Sequence, residues 1–386
     1  MEGTLKHADV IVIGGGSAGS LAAAMLGRAG ISTMMVDMHR RYPEDFRCEK
    51  IHDDQADILL KTGIGEAVLA AATPINEMWV VRMGRLVRKL RLPGKPFEYG
   101  IAYDNLVNTI RDQIPESVPF ICARATAITT GAERQRVVLS NGEVWTSRLI
   151  VLATGLNNNL VRGMIRTEYS KCHSVSIGFD ISRLNCPALT YFNERNDIGY
   201  ITIFPIDSRM RVNLFIYRDH RDRLFRQLRE SPIATILREM PRLRGYIDEN
   251  VRATSDVRVR PADLYDASFD PQSGLVLVGD TYATSCPAAG SGLNKVLTDV
   301  ERLCNHHIPG WLTTPNMDVG KILEFYKDPV KVKCDEWSQY QAFYWRNMAT
   351  GQSLPWRVRR VGWFAYHMIH NHLHWPWRLV PQLEHV

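Results

Sequence analysis

Residues 9–37 constrain this chain more than any other stretch. DVIVI, residues 9–13, is a short β-branched run cut off by glycine, the pattern of a strand buried on both faces of a parallel sheet. GGGSAG follows, and then the Ala-rich LAAAMLGRAG reads as a helix closed at Gly30. ISTMMVD is the next strand and ends at Asp37. Strand, helix and parallel strand make a βαβ unit whose first turn has the form G-x-G-x-x-G. Gly14 permits the tight turn, Gly16 lets the backbone approach a pyrophosphate, and Gly19 allows the helix to pack closely on the strand. Ser17 and Ala18, at the opening of the helix, offer free N–H groups and the positive end of its dipole. Asp37 is placed to accept hydrogen bonds from a ribose, and an acid there disfavours a 2′-phosphate. The unit therefore predicts a dinucleotide site, for FAD or for NAD.

The rest of the chain supports an α/β architecture. It has 386 residues, 45% hydrophobic and 23% charged, which suits one large or two medium globular domains. A formal charge of +6 fits anionic ligands and is too weak to argue for nucleic acid. The seven cysteines are scattered, odd in number and form no C-x-x-C pair, so a reduced cytoplasmic protein with no structural metal is expected. MEGTLKHADV lacks a charged segment followed by an apolar one, so no secretory signal is expected. Residues 53–72 and 104–114 read as helices, with Asp104 a candidate N-cap. Residues 120–153 alternate around the turn Asn141-Gly142 and end in the buried strand LIVL. Residues 172–218 alternate again, with a turn at Asp207-Ser208, and predict an antiparallel sheet inserted between nucleotide-type segments. LVLVGD, residues 275–280, is a further parallel-type strand, and the chain reads as largely helical after Asn294.

The strand at 275–280 runs into a second Pro- and Gly-bearing loop, GDTYATSCPAAGSGLN, residues 279–294. An NAD dehydrogenase has no use for such a loop, whereas FAD is long enough to reach from one strand end to another. Together the two loops resemble the FAD-dependent monooxygenase superfamily typified by para-hydroxybenzoate hydroxylase, whose second motif has the form G-D-A-A-H-x-x-P-P-x-x-G-Q-G-x-N. The resemblance implies a Rossmann-type FAD-binding domain with an inserted antiparallel substrate-binding sheet and a helical C-terminal region. The FAD domain is expected from residues 1–170 and 256–310, the sheet from 171–255 and the helical region from 311–386. It also implies that Gly279 and Asp280 meet the ribitol. Pro287, Gly290, Gly292, Leu293 and Asn294 would lie along the isoalloxazine, with the helix dipole aimed at the reduced ring. Arg47 matches the superfamily's FAD-contacting arginine, and Ala125 matches the segment that meets adenine. Glu49 and Lys50 read as surface charges.

By resemblance the activity is that of a monooxygenase. Such an enzyme forms a flavin C4a-hydroperoxide and oxygenates a small aromatic or polyketide-like substrate. Departures bear on the reductant. Thr154 stands in place of the aspartate that the hydroxylases use with NAD(P)H, and Tyr103 and Ala283 replace a family arginine and histidine. Reduction by transient NAD(P)H docking or by a partner flavin reductase is therefore expected. Tyr200-x-Thr202-x-Phe204-Pro205 is similar to the Y-x-W-x-F-P stretch of geranylgeranyl reductases. It makes Thr202, Phe204 and Pro205 candidates for the substrate wall, and a reductase or a flavin-halogenase relative is the alternative reading. Residues 355–378 are dense in Trp, Arg and His. They read as a packed helix, with peripheral membrane contact a further possibility. His367, His370, His372 and His374 lack the acids or cysteines of a metal site.

Overall fold

The structure, a computed structural model, describes residues 6–47, 49–156, 160, 165–247, 250–268 and 270–372. At its centre is a parallel sheet of β2 (Val10–Ile13), β3 (Thr33–Asp37), β9 (Phe120–Cys122), β13 (Leu149–Leu152) and β19 (Leu275–Leu277), in the order β19-β13-β2-β3-β9. Its inner strands are fully buried because both faces are covered. One face packs on α1 (Ser17–Arg28), α4 (Tyr103–Arg111) and α7 (Gly292–Arg302), with Leu21, Leu106 and Leu297 in one apolar core. The other face packs on a smaller sheet through Ile11, Met34 and Leu152. That sheet holds β1 (Lys6–His7), β10 (Ala125–Thr129), β11 (Gln135–Leu139) and β12 (Val144–Ser147).

Residues 53–72 are not one helix. They divide into α2 (Asp53–Lys61) and α3 (Gly65–Ala70) at Gly63, whose φ of 74° takes the chain out of the helical region. Helix α4 starts one residue before the expected cap, so Asp104 lies in its first turn and Ala102 is the N-cap. Helix α7 opens at Gly292.

The second layer is a seven-stranded sheet in the order β18-β14-β17-β16-β15-β6-β7. It comprises β6 (Met78–Arg82), β7 (Arg85–Leu90), β14 (Ile165–Ile181), β15 (Leu189–Arg195), β16 (Ile198–Ile206), β17 (Arg209–Ile216) and β18 (Arg258–Ser268). It thus reaches beyond residues 171–255 at both ends. The hairpin of β6 and β7 joins through parallel pairing of β6 with β15, a long crossover that local periodicity does not reveal. Helices α5 (Arg223–Glu230) and α6 (Pro232–Glu239) cover its outer face through Phe225, Leu228 and Ile236. A three-stranded antiparallel sheet of β4 (Lys50–His52), β5 (Thr73–Ile75) and β8 (Glu98–Gly100) bridges the two layers. Helices α8 (Ile308–Leu312) and α9 (Val319–Tyr326) extend the core beside α1. Helix α10 (Pro329–Thr350) then runs from α7 to β15 and β16, and α11 (Leu354–His372) closes against β7.

Candidate active site

A single cavity of about 790 Å³ opens onto both glycine loops and onto the inner face of the seven-stranded sheet. Its size falls within the roughly 300–1,000 Å³ that holds small ligands and cofactors. At one end lie Gly14, Gly15, Gly16, Ser17, Ala18 and Asp37. Gly14 has φ 100°, and a Cβ there would run into the Ala153 carbonyl; a Cβ on Gly19 would overlap the Gly14 carbonyl. Gly16 differs, since a Cβ there would meet nothing nearer than the Tyr103 hydroxyl at 3.7 Å. Its open side faces the space a ligand would fill. Among the described residues no side chain caps α1, and the Ser17 amide donates to the Tyr103 hydroxyl at 3.4 Å. Asp37 accepts from the Gly15 amide at 2.8 Å and from the His39 amide at 2.9 Å.

Arg111 holds this loop from behind. Its guanidinium donates to the carbonyls of Gly15, His39 and Arg40 and approaches Asp37 at 3.3 Å. It lies on the buried side of amphipathic α4, and its role shows only once α4 packs beside α1.

Arg47 and Asp280 are 233 residues apart in sequence, and the fold brings them within 3.1 Å. Arg47 also donates to Asp45 at 2.7 Å and lies over the Tyr103 ring. Gly279, Asp280, Pro287, Gly290, Gly292 and Leu293 all line the cavity. Gly290 has φ 68°, which turns the chain into α7. Asn294 points away from the cavity: Gln55 donates to its Oδ1 at 2.6 Å, and its Nδ2 donates to Asp54 at 2.6 Å. It fastens the second loop to α2. Cys286 is also turned away, buried against Ser174.

On the sheet face the strand period of two decides what faces the cavity. Met78, Val80 and Arg82 of β6, Arg88 and Leu90 of β7, Thr190 and Phe192 of β15, Tyr200, Thr202 and Phe204 of β16, and Asn213 and Phe215 of β17 all line it. Trp345 of α10 roofs this face, stacked on Phe192 at 5.4 Å and 15°. Pro205 is next to Phe204 in sequence and so belongs to the opposite side. It lines a separate open groove with Pro74, Glu77, Arg91 and Pro187. Ala125 likewise lies outside the cavity, in the core between the two sheets of the first layer.

Two charge clusters at the junction were missed by the sequence reading. Antiparallel register sets His52 opposite Glu98. His52 Nδ1 lies 2.7 Å from Glu98 Oε1, and Lys50 Nζ lies 2.8 Å from Oε2. Burial pushes the Glu98 carboxyl up, but Lys50 and His52 outweigh it and bring it down to about 2. The other ring nitrogen of His52 faces Gly290 of the second loop. Glu49, 4% exposed, pairs with Arg211, which it shares with Asp180; Asn213, with its amide turned to donate, reaches the second Glu49 oxygen at 3.1 Å. Burial, only partly offset by the shared arginine, pushes the Glu49 carboxyl up to about 7. Glu49 and Lys50 are therefore not surface charges. A hydrophilic run such as CEKIHDD gives no sign that its strand will be covered by a distant sheet. Residues 157–159 and 161–164, which follow Thr154, and the side chains of His367, His370, His372 and His374 lie outside the described residues.

The family described as an FAD binding domain matches residues 7–137. The chain is 23% identical over 323 residues to 3-demethoxyubiquinol 3-hydroxylase of Escherichia coli (strain K12), covering 78% of this chain and 79% of that protein. It is also 23% identical over 314 residues to 6-methylpretetramide 4-monooxygenase of Streptomyces rimosus, covering 76% and 73%. In fold it is similar to p-nitrophenol 4-monooxygenase PnpA from Pseudomonas putida DLL-E4, with a TM-score of 0.71, 15% identity and 94% of each chain covered. Two glycine loops on one parallel sheet, an antiparallel sheet above them and these likenesses lead to one identification: the chain carries an FAD-binding domain over residues 7–137 and shares its overall fold with p-nitrophenol 4-monooxygenase.

Proposed function

We propose that the protein is an FAD-dependent monooxygenase that oxygenates a small, planar substrate of aromatic or polyketide-like character. The observation that carries this reading is the cavity, which joins both glycine loops to an aromatic sheet face in one space. The residues fit FAD. The bare N-terminus of α1, with Gly14, Gly16, Ser17 and Ala18, would hold the pyrophosphate, and Asp37 the adenosine ribose. Gly279 and Asp280 would hold the ribitol beside Arg47. Pro287, Gly290, Gly292 and Leu293 would border the ring, with the start of α7 opposing negative charge on it. FAD, when bound, supplies two-electron reduction and the activation of dioxygen.

The protein's own residues orient and enclose. Phe192, Tyr200, Phe204, Phe215 and Trp345 form a wall that excludes water from the reacting centre. The ionised Glu98 holds a proton on His52 Nδ1 and leaves Nε2 to take one from a substrate hydroxyl. The sequence contains no second G-x-G-x-x-G unit. Reducing equivalents thus come from NAD(P)H docking transiently or from a partner flavin reductase. The names of the two relatives, a demethoxyubiquinol hydroxylase and a methylpretetramide monooxygenase, support the substrate class.

The test uses FAD-loaded protein, a flavin reductase with NADPH, and ¹⁸O₂, against a panel of hydroxylated naphthalenes, anthraquinones and quinols. One ¹⁸O atom in a product is the expected result. Recovery of all the oxygen as hydrogen peroxide, with no labelled product, would reject oxygenation. Reduction of a substrate double bond without oxygen would move the assignment to the reductase alternative.

A further inference from the structure

The sheet end of the cavity holds more positive charge than the protein neutralises. Arg82 ends β6, and its cavity face continues across the sheet through paired residues: Arg82 opposite Phe192, Phe192 opposite Tyr200, Tyr200 opposite Phe215. The neighbouring row runs from Arg88 through Val80, Thr190 and Thr202 to Asn213. Two parallel rows, one aromatic and one polar, therefore both begin with an arginine. Three strand spacings separate Arg88 from Thr202, roughly 14 Å between backbones. The arginines sit at the β6–β7 edge, while β18 at the opposite edge touches the second glycine loop through Tyr265 and Thr284.

The partners do not balance these charges. Arg82 is 5% exposed, donates to Glu194 through one Nη and lies over the Phe192 ring at 4.1 Å. Among the described residues its buried Nε has no hydrogen-bond partner. Glu194 also lies in the field of Arg360, so this carboxylate already answers two cations. Arg88 is half-buried, and among the described residues it has no ion pair or hydrogen bond; Tyr366 of α11 is the group nearest to it in charge terms. Of the carboxylates that line the cavity beside the sheet, Glu49 and Glu98 are held by Arg211, Lys50 and His52, and Asp263 lies on β18 at the opposite edge, where it accepts from the Cys172 amide. A buried guanidinium donor left unmatched is costly, and a planar fork of donors is suited to a carboxylate.

We propose that Arg88, with the free Nε of Arg82, forms an anion subsite at the β6–β7 edge that holds a carboxylate on the substrate. The aromatic row and Trp345 clamp the planar body of that substrate, with its reacting end toward the glycine loops. This rests on the monooxygenase reading for the chemistry and not for the binding. Specificity follows from the same geometry: a neutral analogue would bury the Arg88 guanidinium without an anion for it.

The experiment measures binding to FAD-loaded protein of 1-hydroxy-2-naphthoate and its neutral amide, by calorimetry and by quenching of tryptophan fluorescence. The carboxylate is expected to bind at least about tenfold tighter than the amide. Arg88→Met should bring the two within about twofold while flavin content stays at the wild-type level, and Arg88→Lys should restore part of the preference. Equal affinities in the wild-type protein, no binding of either probe, or a preference that survives Arg88→Met would overturn the subsite. A preserved carboxylate preference without ¹⁸O incorporation would leave the subsite standing and count against the monooxygenase reading alone.

Discussion

At the scale of single residues, the 3.1 Å contact between Arg47 and Asp280 predicts a shared duty. Asp280→Asn keeps the size and removes the charge. It should weaken FAD binding about tenfold to a hundredfold, the worth of a charged hydrogen bond, measured by flavin titration. An unchanged affinity would separate Asp280 from the ribitol. His52→Gln keeps a donor for Glu98 and removes the acceptor on the far side of the ring. Turnover should fall by about two to four orders of magnitude while flavin content holds. Turnover matching wild type would remove His52 from proton transfer. Glu49 makes a prediction about stability. Its carboxyl is raised from 4.5 to about 7 in the folded protein, so its contribution is fully present below 4.5 and is lost as pH rises through 7. Glu49→Gln should flatten this loss, seen as a smaller drop in the urea midpoint between pH 5 and pH 8. A drop as steep as wild type would place the titration elsewhere.

At the scale of elements, strand alternation on β16 separates Phe204 from Pro205 and was available in YITIFPI; the motif resemblance had grouped the two. The glycine loops were readable because backbone geometry near a phosphate demands glycine at fixed spacing. Arg111, His52, Glu98 and Glu49 were not readable. Each acts on a partner supplied by another strand or helix, and pairing between distant strands leaves no local pattern. Ala125 was named from resemblance alone and packs in the core. The helical region after Asn294 was legible as helix, but its most consequential residue was not. Lys331 of α10 is fully buried and joins Asp299 at 3.0 Å and Asp335 at 2.8 Å. Asp299 in turn accepts from the Gly279 amide at 3.3 Å. Lys331→Met leaves Asp299 buried without its cation, which should cost about 3–5 kcal/mol in urea unfolding. A loss under about 1 kcal/mol would show that α10 does not depend on this pair.

At the scale of the whole molecule, the site is an interval between layers, and neither layer contains it alone. A ligand spanning both should stabilise the chain as a unit: FAD at a hundred times its Kd adds about 2.7 kcal/mol, detectable as a rise in the melting midpoint. A melting curve indifferent to FAD would mean that the two glycine loops do not act as one site. Helix α10 gives this interval a further property. Near its start it is fixed to the second loop through Lys331, and Ser338 lies 2.6 Å from Ser291 at the opening of α7. Toward its end it carries Trp345 over the sheet. One rigid rod thus rests on both halves of the site. By thermodynamic reciprocity, a molecule that presses on Trp345 and tightens the grip on FAD must itself be gripped more tightly when FAD is present, by the same factor.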